Sequence, residues 1–299
     1  MGNRQSAMDN RNMPSPLWLN GAVLPMSDAR IGIEDRGFQF ADGVYEVIRL
    51  YAGRPYTLSP HLHRLARSAA DIGIPLPMPI DRLAQEILAF IPKSDVGEGM
   101  IYLQLTRGVA PRNHVFPPAA EIRPTLLFYA RPLPPIPPVG QGTPVKLSTQ
   151  PDDRWRRCWI KSTALLANVL AKNAAVESGA DEAVFLDPLD NTVSECSASN
   201  LFAVIDGVLI THPVGPKVLP GITREEIFAA AAVLDIKTVE RPLTLDQAQA
   251  ADELFISSTT REIATVSHWD NSPLPTVHGP LTTALHANLK ERVRRDTER

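Results

Sequence analysis

A proline-rich segment near the middle of the chain, RPLPPIPPVG at residues 131–140, constrains the fold more than any other feature. Its five prolines fix φ and lack a backbone N–H, so the segment cannot continue a central strand and favours a stiff, extended backbone. We therefore place a linker at residues 132–140, between a small N-terminal domain at 16–131 and a larger C-terminal domain at 141–299. A chain of 299 residues, 44% of them hydrophobic, is long enough to form two cores. The polar residues 1–15 are predicted to form a flexible extension.

Turn signals divide both halves into short strands and amphipathic helices. Paired apolar runs, typical of antiparallel hairpins, turn at Asn20-Gly21, Ala52-Gly53 and Asp206-Gly207. A helix is predicted with Ser59 as its N-cap, and a second helix at about 81–91. Hairpins and helices in both halves predict a mixed α/β (α+β) fold.

The composition excludes several classes of function. The formal charge of -3 comes from mixed signs, and the dense basic run KERVRR is typical of a solvated helix end, so we expect no nucleic-acid binding. No run of about 18 apolar residues could span a membrane. The two cysteines, Cys158 and Cys196, fit neither a disulfide framework nor a zinc pattern, so we expect no metal site. A reduced, cytoplasmic protein is the prediction.

Lys161, in the stretch RCWIKSTALLAN at 157–168, is the lysine best placed for chemistry. We predict that it lies between a strand and a helix that runs to about Ser178, where a side chain can point into a cleft. Desolvation there would favour the neutral amine, which is the nucleophile of Schiff-base chemistry. By spacing alone Lys172 remains an alternative, and a lysine at such a junction can also be an amphipathic side chain whose amine reaches solvent.

The stretch LPGITREE at 219–226 opens another predicted helix. Its first residues, Gly221-Ile222-Thr223, would leave backbone N–H groups unpaired at the positive end of the helix dipole. Such an end suits a phosphate group. The same residues are compatible with a simple N-cap by Thr223, so both roles stay open at this point.

Six longer blocks occur in order along the chain: EDRGFQFADGVYEV (34–47), IYLQLTRGVAPRNHVFP (101–117), RCWIKS (157–162), SECSASNLF (194–202), LPGITR (219–224) and DELFISSTTREI (252–263). Together they resemble the motifs of the class IV, fold-type-IV pyridoxal-phosphate aminotransferases, and most closely those of D-amino acid aminotransferases. Six ordered blocks between about Trp18 and about Val266 are far more specific than a single motif. The resemblance implies a fold-type IV enzyme with a smaller N-terminal α/β domain and a larger C-terminal domain.

The resemblance also implies pyridoxal 5'-phosphate as the cofactor. Lys161 would hold it as a Schiff base and later carry a proton between the substrate α-carbon and the cofactor. Glu195 would pair with the protonated pyridine nitrogen, which keeps the ring an electron sink. The other implied contacts are Arg64, the backbone N–H groups of Ile222 and Thr223 and the hydroxyl of Thr259 at the phosphate, and Leu219 on one ring face.

Substrate-binding residues follow from alternation and from the resemblance together. In extended segments residues two apart share a face, which places Tyr45, Val47 and Arg49 on one side of a strand and Arg112 beside His114. The resemblance implies that Tyr45, Arg112 and His114 hold the α-carboxylate of D-amino acids and of 2-oxo acids such as pyruvate or 2-oxoglutarate. Arg112 and His114 would arrive from the neighbouring subunit. A homodimer is therefore part of the predicted site.

The chain departs from the family pattern directly after Glu195. Cys196 stands where a glycine commonly follows, and Ala198 replaces one hydroxyl of a usual serine run, so the sequence leaves the backbone path there open. Alternatives within the same fold are a branched-chain aminotransferase, an (R)-amine transaminase and an aminodeoxychorismate lyase. The RNH stretch at 112–114 and DGVYEV at 42–47 argue against these. A non-catalytic pyridoxal-phosphate carrier is a further alternative, and the matched cofactor residues argue against it.

Overall fold

Two β-sheets, built from consecutive parts of the chain, form the framework of the computed structural model, which describes residues 16–298. The first sheet has six strands: β1 (Pro16–Leu19), β2 (Ala22–Pro25), β3 (Gly43–Tyr51), β4 (Arg54–Pro55), β5 (Gly99–Thr106) and β6 (Thr125–Pro132). The second has ten: β7 (Val145–Pro151), β8 (Glu182–Asp187), β9 (Thr192–Cys196), β10 (Asn200–Ile205), β11 (Val208–Thr211), β12 (Thr238–Glu240), β13 (Leu243–Thr244), β14 (Glu253–Ser258), β15 (Glu262–Trp269) and β16 (Ser272–Pro273). The extension predicted at 1–15 lies outside the described residues.

Helices accompany both sheets, so the predicted α/β class is confirmed. They are α1 (Arg36–Phe40), α2 (Leu58–Asp71), α3 (Ile80–Ser94), α4 (Leu166–Glu177), α5 (Ile222–Val233), α6 (Leu245–Gln249) and α7 (Pro280–Thr297), with a 3₁₀ turn at Ala119–Glu121. In the described part of the chain, none of these helices combines the length and apolar character needed to cross a bilayer.

The first sheet runs β2-β1-β6-β5-β3-β4, and its neighbouring strands are antiparallel. The second runs β12-β11-β10-β14-β15-β7-β8-β9-β13, with β16 beside β15 and parallel pairs at its centre between β7 and both β8 and β15. The three predicted hairpins are confirmed as β1–β2, β3–β4 and β10–β11. Both residues of each turn have positive φ, for example 48° at Asn20 and 96° at Gly21, as a two-residue turn of this kind requires.

The start of α2 differs from the sequence prediction. Its N-cap is Thr57, at φ 53°, and not Ser59, which lies inside the first turn. Pro60 is accordingly the third helical residue. It is tolerated there because the first four N–H groups of a helix have no intrahelical partner. Apolar spacing located this helix, but the chain enters it from a left-handed residue, which the spacing does not reveal.

Helices α2 and α3 cover one face of the first sheet. Ile48 of β3 and Phe128 of β6 are fully buried there against Leu62, Leu65 and other apolar side chains. Tyr45 and Val47 lie on the opposite face of β3 and are half-buried. The alternation along β3 therefore separates a core face from a face that is free to form a site.

Helices also pack on the second sheet. Leu285 of α7 and Ile227 of α5 pack against Phe202 and Phe255, whose rings stack at 4.9 Å. Helix α4 packs on β8 through Ala171 and other small side chains. The proline-rich segment carries no regular structure from 133 to 144, although Pro132 still pairs with Gly99 in the first sheet. We retain a domain boundary in this segment as a proposal.

The two parts of the chain meet at the start of β3. The Tyr45 N–H donates to the Lys161 carbonyl at 3.0 Å, and Val44 forms a β-bridge with Ser162. The loop between β7 and α4 thus attaches to the free edge at the start of β3. This junction creates the cleft described next.

Candidate active site

A cleft of about 240 Å³ lies where the loop at 152–165 faces the open side of β3. Its other walls are the bend after β9, the residues before and at the start of α5, and the turn after β14. Nine of the twelve predicted site residues line it: Tyr45, Val47, Arg64, Lys161, Glu195, Leu219, Ile222, Thr223 and Thr259. Arg49, Arg112 and His114 do not.

Lys161 enters the cleft from a loop. Lys161 lies between a strand and a helix, as predicted, but neither is adjacent to it, because β7 ends at Pro151 and α4 begins only at Leu166. The loop is held at Lys161 itself, whose N–H donates to Ser68 Oγ at 3.2 Å and whose carbonyl accepts from β3. The Lys161 Nζ atom lies 4.3 Å from the centroid of the Tyr45 ring, on the open face of the sheet.

Lys172, the alternative lysine, points away from the cleft. Its Nζ donates to the Asp181 carbonyl and lies 3.3 Å from a carboxylate oxygen of Glu182. Both partners belong to the start of β8 and the residue before it. The geometry therefore favours Lys161 as the reactive amine of the cleft.

Glu195, at the end of β9, is buried and held by three donors. Its carboxylate accepts from Arg154 Nη1 at 2.5 Å, from Asn200 Nδ2 at 3.1 Å and from the Leu219 N–H at 3.0 Å. Burial raises the pKa of Glu195 even though the Arg154 charge opposes that shift. A further cation beside this carboxylate would favour its ionised form, and a protonated ring nitrogen is such a cation.

Arg154 is the main site residue that the sequence analysis missed. Its guanidinium bridges Asp152, at 2.9 and 3.0 Å, to Glu195 and to the Lys217 carbonyl at 2.8 Å. It also lies 4.0 Å from the ring centroid of Phe185. Desolvation would lower the pKa of Arg154, but bonds to Asp152 and Glu195 outweigh it and raise that pKa. The available signal was the Asp-x-Arg spacing at 152–154, directly after a buried strand.

Arg64 is the centre of a buried polar cluster under the cleft. Its Nε and Nη2 donate to Glu46 at 2.7 and 2.8 Å, and its Nη1 donates to the Pro220 carbonyl at 2.8 Å. His61 Nδ1 lies 2.7 Å from the same Glu46 carboxylate. Burial would raise the pKa of Glu46, but Arg64 and then His61 lower it to about 2. Three of the five guanidinium N–H groups are used, so two remain that could bind an anion in the cleft.

The first turn of α5 closes the cleft from the opposite side. Its N-cap is Gly221, without a side-chain cap, so the alternative of an N-cap by Thr223 is wrong. The N–H groups at this end keep no side-chain acceptor, which suits an anion. Gly221 is required by space, because a Cβ there would lie 2.0 Å from Asn200 Oδ1. Asn200 is itself fixed to Glu195 and to the Leu219 carbonyl.

The bend after Glu195 settles the backbone path that the sequence left open. Cys196 pairs with Val184 and its N–H donates to the Ser199 carbonyl at 2.8 Å, after which β10 begins. Cys196 is not among the residues with positive φ, so a glycine is not needed here. Ala198 is exposed and lines the cleft rim.

Arg49 lies on the predicted face of β3 but turns away from the cleft. Its Nη2 donates to Glu98 at 3.2 Å and to the Pro134 carbonyl at 2.8 Å. The side chain is almost fully buried and is therefore committed to the end of the first sheet. We do not retain Arg49 as a substrate-binding residue. Alternation placed it on the correct face but could not determine which neighbours its long side chain reaches.

Arg112 and His114 lie on an exposed loop after β5, outside the cleft of their own chain. The Arg112 guanidinium is 4.5 Å from the ring centroid of Phe40, and the His114 ring packs edge-on against the same ring at 5.6 Å. This location is the one expected of residues that act in a second subunit.

The donors and acceptors around the cleft fit pyridoxal phosphate. Its lining combines an amine, a buried carboxylate, an arginine with unused donors and an uncapped helix N-terminus. Two further lining hydroxyls, Ser199 Oγ and Ser257 Oγ, are buried without a hydrogen-bond partner. Buried polar atoms of this kind are commonly satisfied by a ligand or by water.

Comparisons with known proteins agree with this description. The family model of the class IV aminotransferases matches residues 43–269, which is more than half of the chain. A D-alanine aminotransferase of Listeria monocytogenes serotype 4b (strain F2365) is 42% identical over 278 residues, covering 92% of this chain and 95% of that protein. Two similar solved structures are branched-chain aminotransferases. The Escherichia coli enzyme has a TM-score of 0.82 at 27% identity, covering 92% of this chain and 93% of that one. The Thermoproteus uzoniensis enzyme with norvaline has a TM-score of 0.82 at 26% identity, with coverage of 95% and 96%.

Proposed function

The chain belongs to the class IV aminotransferases, and we propose that it is a D-amino acid:2-oxo acid aminotransferase that uses pyridoxal 5'-phosphate. The observation that carries this proposal is the convergence of Lys161, Glu195 and the N-terminus of α5 on one cleft. The relative at 42% identity is named a D-alanine aminotransferase. We further place the enzyme in the cytoplasm, where its two buried cysteines would stay reduced.

Each cleft residue has a separate task in this proposal. Pyridoxal phosphate, when bound, supplies an aldehyde carbon and an electron-withdrawing ring. The Lys161 amine would hold the cofactor covalently and would move a proton at the α-carbon of the substrate. Glu195, kept in place by its three donors, would hold a proton on the ring nitrogen. The phosphate would be bound by Arg64, Ile222, Thr223 and Thr259, and the ring would pack against Leu219.

The substrate carboxylate would be bound across a homodimer. Tyr45 and Val47 line the cleft of one subunit, while Arg112 and His114 would come from the partner. The loop that carries them bears the exposed apolar side chains Val115 and Phe116, and neighbouring segments bear Ile33, Phe38 and Val109. Their segments are joined, since Asp35 bridges to Val109 and the Ala110 N–H donates to the Glu34 carbonyl. Exposed apolar patches of this kind favour association with another chain.

The carboxylate position would decide which enantiomer reacts. Transamination breaks the covalent Cα–H bond of the substrate. This bond is broken only when it is perpendicular to the cofactor ring and faces the amine that accepts the proton. A carboxylate bound by Arg112, His114 and Tyr45 would turn the hydrogen of a D-amino acid toward Lys161. The acceptor would be a 2-oxo acid such as pyruvate or 2-oxoglutarate.

The second candidate is a branched-chain amino acid aminotransferase, because both solved structures described above carry that activity in their names. Initial rates with D-alanine and L-leucine, each with 2-oxoglutarate as acceptor, distinguish the two. We expect D-alanine to be the faster donor. Faster turnover of L-leucine would instead support the branched-chain activity.

A substitution tests the carboxylate contact itself. Arg112→Ala removes the strongest proposed carboxylate partner and should cost about 2–5 kcal/mol in kcat/KM for D-alanine. An (R)-arylalkylamine, which lacks the carboxylate, should lose much less. Equal losses for both donors would contradict carboxylate binding by Arg112.

A further inference from the structure

We propose that a ladder of alternating arginine and phenylalanine side chains holds the loop at 111–117 in the shape that presents Arg112 and His114, which makes Phe40 and Arg36 positioning residues for carboxylate recognition. This inference rests on the proposed function, because it explains how the carboxylate-binding loop keeps its conformation. The five members of the arginine–phenylalanine ladder are, in spatial order, Arg112, Phe40, Arg36, Phe116 and Arg107.

Each step of the ladder is a guanidinium beside an aromatic ring. The Phe40 ring lies between Arg112, at 4.5 Å from its centroid, and Arg36, at 4.8 Å. The Phe116 ring lies between Arg36, at 5.6 Å, and Arg107, at 3.7 Å. All four distances are within the range in which a cation is attracted by the face of a ring.

The inner end of the ladder is anchored in the N-terminal core. Arg36 and Arg107 are almost fully buried and share the Asp42 carboxylate, each with an Nε–Oδ2 distance of 2.8 Å. Arg107 also donates to the carbonyls of Ile72 and Gly73 at the end of α2, at 2.6 and 2.8 Å. The ladder therefore connects an exposed loop to a fixed base.

Outside the ladder, the Arg112 side chain has a weak contact, in which its Nη1 donates to Gln39 Oε1 at 3.5 Å. The loop contains no helix or strand, and its residues from 111 to 116 are exposed. Arg36 Nη1 donates to the Asn113 carbonyl at 2.6 Å. This hydrogen bond fixes the backbone between Arg112 and His114. Asn113 Oδ1 in turn accepts from the Val115 N–H at 3.1 Å. Arg36 thus contacts the loop in two ways, through the Phe116 ring and through the Asn113 carbonyl.

Positioning of this kind matters because binding is weaker when the protein must order its own side chains first. A free arginine at position 112 would sample many rotamers before it met a carboxylate. The ladder removes that freedom in advance. Loss of a ring should therefore raise KM for carboxylate substrates while leaving cofactor binding unchanged.

Phe40 allows a matched test, because leucine removes the aromatic face and tyrosine keeps it. In the holoenzyme, Phe40→Leu should raise KM for pyruvate and D-alanine about tenfold with kcat within about twofold. Phe40→Tyr should stay within about twofold of the wild type. Arg131→Met, which removes a different guanidinium 5.2 Å from the Tyr129 ring, is the control and should leave KM unchanged. Fluorescence titration of the cofactor-free protein with pyridoxal phosphate should give the same dissociation constant for all variants.

The outcomes separate the ladder from the proposed function. If Arg112→Ala leaves KM for pyruvate unchanged, Arg112 does not bind the carboxylate. The proposed function of the ladder, which is to position Arg112, is then contradicted as well. If Arg112→Ala raises KM but Phe40→Leu does not, only the ladder is overturned. The ladder is also overturned if Phe40→Tyr is as impaired as Phe40→Leu, or if Phe40→Leu weakens cofactor binding in parallel. In the double variant, Phe40→Leu should add less to Arg112→Ala than it costs on its own, since part of its effect is exerted through Arg112.

Discussion

At the scale of single residues, the proposed chemistry of the cleft depends on two side chains, Lys161 and Glu195, and places opposite requirements on them. Lys161 must remain mobile enough to reach a substrate, and it is fixed only through its backbone, to Ser68 and Tyr45. Glu195 must not move, and it is fixed through its carboxylate by three donors. Substitutions at these two positions should therefore fail in different ways.

Lys161→Ala should abolish covalent attachment of the cofactor, because no other lysine lines the part of the cleft that the structure describes. Borohydride reduction followed by peptide mapping measures this directly. The wild type should carry the reduced label on Lys161. A label on Lys172 would refute the assignment. We do not expect one, because the Lys172 Nζ atom contacts the Asp181 carbonyl and the Glu182 carboxylate.

Glu195→Gln should impair transamination while the cofactor stays bound. A neutral amide can keep contacts with Asn200 and Leu219 but no longer favours a protonated ring nitrogen, so the half-reaction should slow by on the order of 100-fold. Stopped-flow absorbance of the cofactor on mixing with D-alanine measures that step. Wild-type rates would show that the carboxylate has another role.

His61 gives a pH dependence to stability. Burial lowers the pKa of His61, although Glu46 opposes this, so below about pH 6.5 the unfolded chain binds a proton that the folded chain does not. The contribution of His61 to the free energy of unfolding should accordingly be complete above that pH and should decline as the pH falls from about 7 to about 5. Denaturant unfolding of the cofactor-free protein should show a flatter profile for His61→Gln over this interval. The other histidines are common to both proteins, so an identical slope would exclude His61 as the cause.

At the scale of elements, the first turn of α5 links the proposed phosphate site to Glu195, the proposed partner of the ring nitrogen. Gly221 begins the helix, and its close neighbour Asn200 binds both Glu195 and the Leu219 carbonyl. The Leu219 N–H also donates a hydrogen bond to the Glu195 carboxylate. We therefore expect a displacement at Gly221 to disturb both the proposed phosphate site and the position of Glu195.

Gly221→Ala should cost about 1–3 kcal/mol of stability and weaken cofactor binding. Its φ of -67° is allowed for alanine, so the effect comes from space alone, as the new Cβ would meet Asn200 Oδ1. Thermal denaturation and titration with pyridoxal phosphate measure the two effects. Gly207→Ala, in an open turn with nothing within 4 Å of its Cβ but with φ 74°, is a control for backbone strain without crowding. Its effect should be limited to stability.

At the scale of the whole molecule, the proposed site is incomplete in one chain. The cleft holds the cofactor residues, while the arginine–phenylalanine ladder and its loop lie outside it. Exposed apolar side chains lie on that loop and on neighbouring segments. Two copies related by a twofold axis would complete two sites at once.

Mixing two inactive variants tests this arrangement. Random exchange of Lys161→Ala and Arg112→Ala subunits should restore about a quarter of the wild-type rate, because half of the dimers are hybrids with one complete site each. Each parent alone should remain inactive or strongly impaired. No recovery after demonstrated subunit exchange would mean that Arg112 serves its own chain.

Local sequence determined much of this protein. The turns at Asn20-Gly21 and Asp206-Gly207 formed as predicted, because positive φ at adjacent residues is a property of the turn itself. The six ordered blocks contain Lys161 and Glu195, the resemblance that they carry also implied Arg64, and all three residues line one cleft. Alternation along β3 correctly placed Tyr45 and Val47 on one face of the strand, and both line the cleft. These features depend on residues close together in the chain.

Only the tertiary structure decided the rest. Arg154 meets Glu195 across 41 positions and Arg64 meets the Pro220 carbonyl across 156, so no local pattern could pair them. Arg49 was placed on the correct face yet turned to Glu98, because a long side chain selects among neighbours that packing brings near it. The physical reason is the same in each case. Periodicity determines which way a side chain points, whereas its partners are determined by how distant segments pack.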